Sequence, residues 1–216
     1  MKLNTHNLNT HNKVNMKKYN KTSWFYDILD YPWEKQYRQW RPGLVGDMRG
    51  EVIEAGVGTG RNLKYYHPSI NLTALDLCPG MLRRAMKRRK QASCCVQLLQ
   101  EDACQMNSIP SDSYDWFLAT FLCCVLPDEL QPAVIQQMER VLKPNGRFRL
   151  LEMVYSKDPG LRRRQDFFSP FVERVYGARF DRNTLMHVEK FEKIKITNKR
   201  FLKHDVYLLI EGTVEK

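Results

Sequence analysis

The sequence predicts an α/β fold: a doubly wound sheet of five parallel strands plus a C-terminal antiparallel pair, with helices on both faces. Three observations predict it. From Glu51 onward short apolar runs alternate with helical patterns, which implies a parallel sheet covered on both sides. The first of those runs ends in glycines at alternate positions, in "EVIEAGVGTGRN". The C-terminal stretch "FEKIKITNKRFLKHDVYLLIEGTV" reads instead as two alternating strands, most simply an antiparallel pair at the sheet edge.

Residues 1–21 are polar, Asn-rich and basic, and repeat "LNTHN" in tandem. Such a composition cannot bury a core, so a disordered tail is expected there, followed by one domain over 22–216. Residues 22–45 crowd aromatic side chains, Trp24 to Trp40, into "SWFYDILDYPWEKQYRQW". Ser23 can cap one short helix and Pro32 falls where a second can start. The aromatics exceed what one buried stripe needs, so the segment is a candidate lid over an apolar ligand. "EVIEAG" reads as a strand, "RNLKYY" as the start of a helix, "NLTALDL" as a strand and "PGMLRRAMKRRKQ" as a helix opened by Pro79. "CCVQLLQED" and "YDWFLATFLCC" are strands, "PDELQPAVIQQMERVL" a helix, and "GRFRLLEMV" a strand after the turn "KPNG". Residues 155–190 are expected to be mostly helical and to form a substrate-side insertion.

Composition narrows the function. A chain of 216 residues, 43% hydrophobic and 27% charged, fits one globular domain. No apolar run approaches the roughly 20 residues that cross a bilayer. The N-terminus lacks the apolar core of a secretory signal and is poorer in Arg and Ser than a mitochondrial presequence. A cytoplasmic location is expected, with peripheral membrane contact and the mitochondrial matrix left open. None of the six cysteines forms a C-x-x-C pair, so no metal site is expected and they read as reduced, packed thiols. The net charge of +11, concentrated in Arg83–Lys90, in Arg162–Arg164 and at both ends, suits anionic partners or a plain solvated face.

The glycine loop lies where open parallel sheets bind ligands, beyond the carboxyl end of the first strand. Gly56, Gly58 and Gly60 allow tight turns and close approach of the backbone to a ligand. A helix starting near Thr59 would aim N–H groups at an anion. A dinucleotide fingerprint needs its third glycine at position 61, which is Arg. Glu54, just before the loop, is badly placed beside a pyrophosphate and well placed for a cationic group. Asp76 ends the second strand and can accept both hydroxyls of a ribose. Asp102 ends the third and can accept from an adenine amino group.

With "VIEAGVGTGRNL", "LTALDLCPGML", "QEDACQMNSIPSDSYDWFLAT" and "RVLKPNGRFRLLE" in order, the chain resembles the class I S-adenosylmethionine-dependent methyltransferases, which are Rossmann-like. Within them it is similar to the small-molecule branch, the ubiquinone/menaquinone C-methyltransferases and the lipid- or thiol-directed enzymes. The resemblance implies S-adenosyl-L-methionine as cofactor. It implies that Glu54 and the Gly56–Gly60 loop meet the methionine part, including its charged amino group, and that Ala55 and Asn62 also bind the cofactor. Asp76 would hold the ribose, with Leu77 and Met81 against the adenine, Asp102 and Ala103 at its edge, and Thr120 on the methionine side. Tyr26 is similar to a tyrosine that closes over the cofactor in the quinone group.

No residue announces itself as a general base. Candidates near the expected mouth are Tyr26, Cys123, Tyr155 and His204, each with a plainer structural role open to it. The place after the fourth strand reads "ATFLCC" rather than the Asn/Asp-Pro-Pro-Tyr/Phe loop of the family's amine methylators. That apolar rim favours a greasy small-molecule acceptor such as a quinone precursor, lipid or thiol. Methylation of RNA or protein, and a protein that binds the cofactor without catalysis, stay as alternatives.

Overall fold

The computed structural model describes residues 31–216, with side chains from residue 33. The expected tail 1–21, the helix capped by Ser23, and Tyr26 lie outside the described residues. Helix α1 (Tyr31–Val45) starts at the expected proline and leads into β1 (Gly50–Ala55). Then come β2 (Ile70–Asp76), α2 (Pro79–Arg89), β3 (Cys95–Gln100), β4 (Tyr114–Thr120) and α3 (Gln131–Val141). They are followed by β5 (Leu142–Met153), α4 (Pro159–Tyr176), α5 (Thr184–Val188), β6 (Ile194–Phe201) and β7 (Tyr207–Val214).

The strands form one seven-stranded sheet in the order β3-β2-β1-β4-β5-β7-β6. The first five run parallel, and β7 enters antiparallel between β5 and β6. The expected fold class is therefore what is seen. Strand order reverses between β1 and β4, which is where such sheets open a ligand crevice.

Alternate residues of the central strands feed two cores, as a sheet covered on both faces requires. Ile53, Leu75, Phe117 and Phe148 point to one side, against α3 residues such as Ile135 and Met138. Val52, Leu72, Trp116 and Leu118 point to the other, against Leu44 and Val45 of α1 and Ala85 of α2. Phe117 and Phe148 are wholly buried, each worth about 2–3 kcal/mol of apolar transfer. Arg149 on β5 ties α1 to the sheet: its guanidinium donates to the Leu44 carbonyl, Asp47 and Glu211.

The strand expected over "YDWFLATFLCC" ends at Thr120, "KPNG" lies within β5 rather than before it, and two helix expectations need correction. "RNLKYY" forms no α-helix but a single 3-10 turn, Leu63–Tyr65. Only residues 61–69 separate the glycine loop from β2, and Pro68 cannot continue a helix. Leu63 and Tyr66 instead drop into the core beside Leu44 and Val45, so α1 covers the face that a crossover helix would have covered. The expected helix end aimed at a ligand is thus absent. The helix in "PDELQPAVIQQMERVL" is also shorter: Asp128–Leu130 is a 3-10 turn, and α3 begins at Gln131 with Pro132 in its first turn.

Gly60 shows how tightly the loop is seated. Its φ is +79°, and a Cβ there would lie 2.9 Å from the Ala85 Cα. Gly60→Ala is expected to lower stability by about 2–3 kcal/mol, from a left-handed backbone and an overpacked contact, measurable by urea unfolding.

Candidate active site

The cleft lies beyond the carboxyl ends of β1, β2, β3 and β4 and encloses about 1210 Å³, part of it open to solvent.

One end is built from the glycine loop and two acids. Gly56, Gly58 and Gly60 all have positive φ. The Gly56 and Val57 amides donate to the Leu75 carbonyl at 2.9 Å, which folds the loop back over β2. Asp76 then fixes it: one carboxylate oxygen accepts from the Gly58 N–H at 2.9 Å and the other from the Cys78 N–H at 2.8 Å. Each oxygen keeps a second lone pair. Burial raises the Asp76 pKa to about 6, against the pull of those two amides. Asp102 is fixed in the same way by the Cys104 N–H at 2.8 Å and the Gln105 side chain at 3.2 Å. Leu77, Met81 and Ala103 line the space between the two acids.

Glu54 is placed differently from its expected role. It is buried behind the wall and does not line the cleft. Its carboxylate accepts from Asn62 Nδ2 at 2.6 Å and from the Tyr66 hydroxyl at 3.0 Å. Burial first of all lifts its pKa to about 7. Asn62 in turn faces the cleft, and its amide oxygen accepts from Arg41 Nη1 of α1. Arg41 Nη2 and Arg61 Nη1 both reach Glu34 Oε2 at 3.0 Å. The wall therefore presents Asn62, Arg41 and Arg61, backed by Glu54 and Glu34. Thr120 lines the same end, with its hydroxyl 3.5 Å from Asn62 Nδ2. Ala55 and Gly60 lie outside the lining.

The other end is apolar, formed by Tyr37 of α1 and by Phe121, Leu122, Val125 and Leu126 after β4. Tyr37 packs its ring 5.1 Å from that of Phe121. The chain here is held by Glu152 of β5, whose two oxygens accept from the Cys123 and Cys124 N–H groups at 2.8 Å each.

None of the described base candidates lines the cleft. Cys123 is wholly buried, and burial pushes its thiol well above the ordinary cysteine range. Tyr155 packs against Phe180 with Arg162 stacked 3.4 Å over its ring. His204 is exposed in the connection between β6 and β7 with φ +47°. Sequence reasoning missed Glu34, Arg41 and Glu152 as site residues. Glu34, Tyr37 and Arg41 are spaced i, i+3, i+7, one face of a helix, and that pattern was readable.

Part of the basic run on α2 has an internal task, since Arg88 donates to the Thr59 carbonyl at 2.8 Å and steadies the glycine loop. Among the described residues no group of His, Cys, Asp and Glu is arranged to hold a metal, and no helix is long and apolar enough to cross a membrane.

Comparison with known proteins agrees with this geometry. Residues 52–146, from β1 into β5, match the family model described as "Methyltransferase domain". Over those residues the chain is similar to the class I S-adenosylmethionine-dependent methyltransferases. A phosphatidylethanolamine N-methyltransferase of Cereibacter sphaeroides is 32% identical over 99 residues, covering 45% of this chain and 47% of that protein. A ubiquinone/menaquinone biosynthesis C-methyltransferase of Syntrophotalea carbinolica is 28% identical over 130 residues, covering 56% and 53%. The chain thus spans about half the length of these relatives. The crystal structure of the N-methyltransferase NodS from Bradyrhizobium japonicum superposes with a TM-score of 0.64 at 15% identity, covering 87% of this chain and 99% of that one, and shares the fold.

The cofactor of the methyltransferase domain is S-adenosylmethionine. The cleft fits it: Asp76 and Asp102 offer lone pairs at two strand ends, and a Cβ on Gly58, which lines the cleft, would meet only open space. Arg41 and Arg61 line the cleft together with Asn62.

Proposed function

We propose that this chain transfers a methyl group from S-adenosylmethionine to an apolar small molecule of the quinone-precursor, lipid or thiol kind. One observation carries the reading: a single cleft joins an acid-lined nucleoside end to an apolar wall. Asp76 would accept the ribose hydroxyls and Asp102 the adenine amino group, with Leu77, Met81 and Ala103 against the base. Gly56 and Gly58 leave space for the methionine part. Asn62 and Thr120 would meet its polar groups, with Arg41 and Arg61 facing its carboxylate. Glu54 acts through Asn62 as a positioning residue.

The cofactor supplies a methyl on a positively charged sulfur, open to in-line displacement by a nucleophile. The chain's own task is alignment, worth up to roughly 7–11 kcal/mol in well-oriented systems. Tyr37, Phe121 and Val125 exclude water from the acceptor end and hold an apolar body against the donor. Among the described residues, the ionisable groups of the lining other than Tyr37 belong to the polar end, which suits an acceptor that reaches the cleft already nucleophilic. In this reading residues 22–216 are one methyltransferase domain, α1 is its lid and residues 155–190 its acceptor-side insertion.

Incubation with methyl-labelled cofactor and a cellular lipid and metabolite extract tests this. Label is expected in a lipophilic small molecule. Label recovered only in RNA or protein, or transfer to nothing while the cofactor binds, would overturn the acceptor assignment.

A further inference from the structure

Helix α4 carries an aromatic face that the described residues leave uncovered. Phe167 is 79% exposed, and Phe168 and Phe171 are 54% and 46% exposed. This is not a frayed segment. Asp158 caps the helix through the Leu161 N–H, and Gly177 closes it with a left-handed φ of 69°. Its inner side is anchored by buried Val172 and by Gln165, which bonds the Ser156 N–H and the Val154 carbonyl.

The outer side has a definite chemistry. At 3.6 residues per turn, Phe167, Phe171, Arg164 and Phe168 fall within about 100° of arc, with Arg163 and Arg174 along one border. The helix's acids, Asp166 and Glu173, lie on another face, where Arg162 and Arg179 pair with them. Among the described residues no carboxylate pairs with Arg163, Arg164 or Arg174. Phe167 and Phe168 meet edge to face at 5.1 Å, so the rings form a convex ridge rather than a groove.

We propose that this face of α4 docks on an anionic phospholipid bilayer. Phenylalanines can enter the headgroup–acyl boundary while flanking arginines meet lipid phosphates, the arrangement of an interfacial amphipathic helix. A single-stranded nucleic acid would need a charged groove along which bases stack, and a convex ridge offers none. The face also leads toward the cleft. Phe171 contacts Tyr176 at 6.5 Å between ring centres, and Tyr176 contacts Trp33 of α1 at 6.1 Å. Tyr176 shares a small core with Phe121 and Val125 of the apolar cleft wall. Delivery of a lipophilic acceptor by that route rests on the proposed function, whereas docking itself does not.

The test is flotation of the full chain with vesicles of phosphatidylcholine alone or mixed with phosphatidylglycerol, without cofactor or acceptor. Binding is expected to the anionic vesicles and to be at least about tenfold weaker to the neutral ones. The triple variant F167S/F168S/F171S should lose at least about tenfold in binding while staying folded by circular dichroism, since Phe167 is largely exposed and Phe168 and Phe171 about half exposed. R163E/R164E should weaken binding by about fivefold or more per site. Absent or charge-independent vesicle binding would overturn the proposal. So would binding that survives loss of the rings and is competed by single-stranded RNA, or a stable dimer that the triple variant dissolves. Because nothing is methylated in this assay, its failure is separate from a failure to find an acceptor.

Discussion

Asp76→Ala is expected to weaken S-adenosylmethionine binding by about 100-fold or more, read by titration calorimetry. The carboxylate has two tasks. It offers lone pairs to two hydroxyls of the ligand, and charge-assisted bonds of this kind contribute roughly 1.5–3 kcal/mol each before desolvation. It also accepts from the Gly58 and Cys78 amides, so its loss frees the glycine loop and leaves two N–H groups without their partner. Asp76→Asn keeps the shape and one acceptor oxygen, and is expected to lose about tenfold. If both variants bind as the wild type does, the nucleoside does not lie between Asp76 and Asp102.

The same carboxylate sets a pH dependence. Burial holds the Asp76 pKa near 6 in the free protein. Ligand hydroxyls donate to the ionised form, so binding favours deprotonation. Affinity is expected to be constant above about pH 7 and to fall by up to about tenfold per unit as pH drops below 6, with Asp76→Asn flat across that range. A wild-type profile as flat as the variant's would place the titrating group outside the site.

Alternation of apolar runs and helical patterns made the parallel sheet legible, because each central strand must be apolar on both faces. The acids at the ends of β2 and β3 were legible because a parallel fold puts successive strand ends at one edge. What failed depended on chain length and on distant partners. "RNLKYY" has helical propensity, but Pro68 and the short distance to β2 stop it at one turn. Glu54 has the position of a ligand-binding acid, yet it is buried behind the cleft wall, where Asn62 and Tyr66, both later in the chain, donate to its two oxygens. Arg41 and Glu34 belong to the site only because α1 stands in for the missing crossover helix, an arrangement made by tertiary packing. Cys123 fell within the apolar rim by sequence, while in space its thiol points into the core and its amide faces Glu152.

Glu152 is the second residue whose loss should be severe. Glu152→Ala is expected to lower stability by about 3 kcal/mol or more, since it leaves two buried N–H groups unpaired and a cavity behind them. Those N–H groups belong to Cys123 and Cys124, beside the wall residues Phe121, Leu122 and Val125. The variant should therefore also bind apolar acceptors poorly while keeping cofactor affinity near that of the wild type. Burial raises the Glu152 pKa from 4.5 to about 7, against the pull of the two amides. A carboxyl with a raised folded-state pKa contributes stability that is full below pH 4.5 and is lost as pH rises through about 7. Glu152→Gln does not titrate and turns its NH2 toward one of the two donors, so it is destabilising at every pH. Its deficit should shrink by up to about 3 kcal/mol between pH 4.5 and 8, as the wild type comes to bury a charge. Urea midpoints of the two proteins at pH 5 and pH 8 measure this. A deficit that grows with pH would mean that the ionised carboxylate, bonded to both amides, is the more stable buried form.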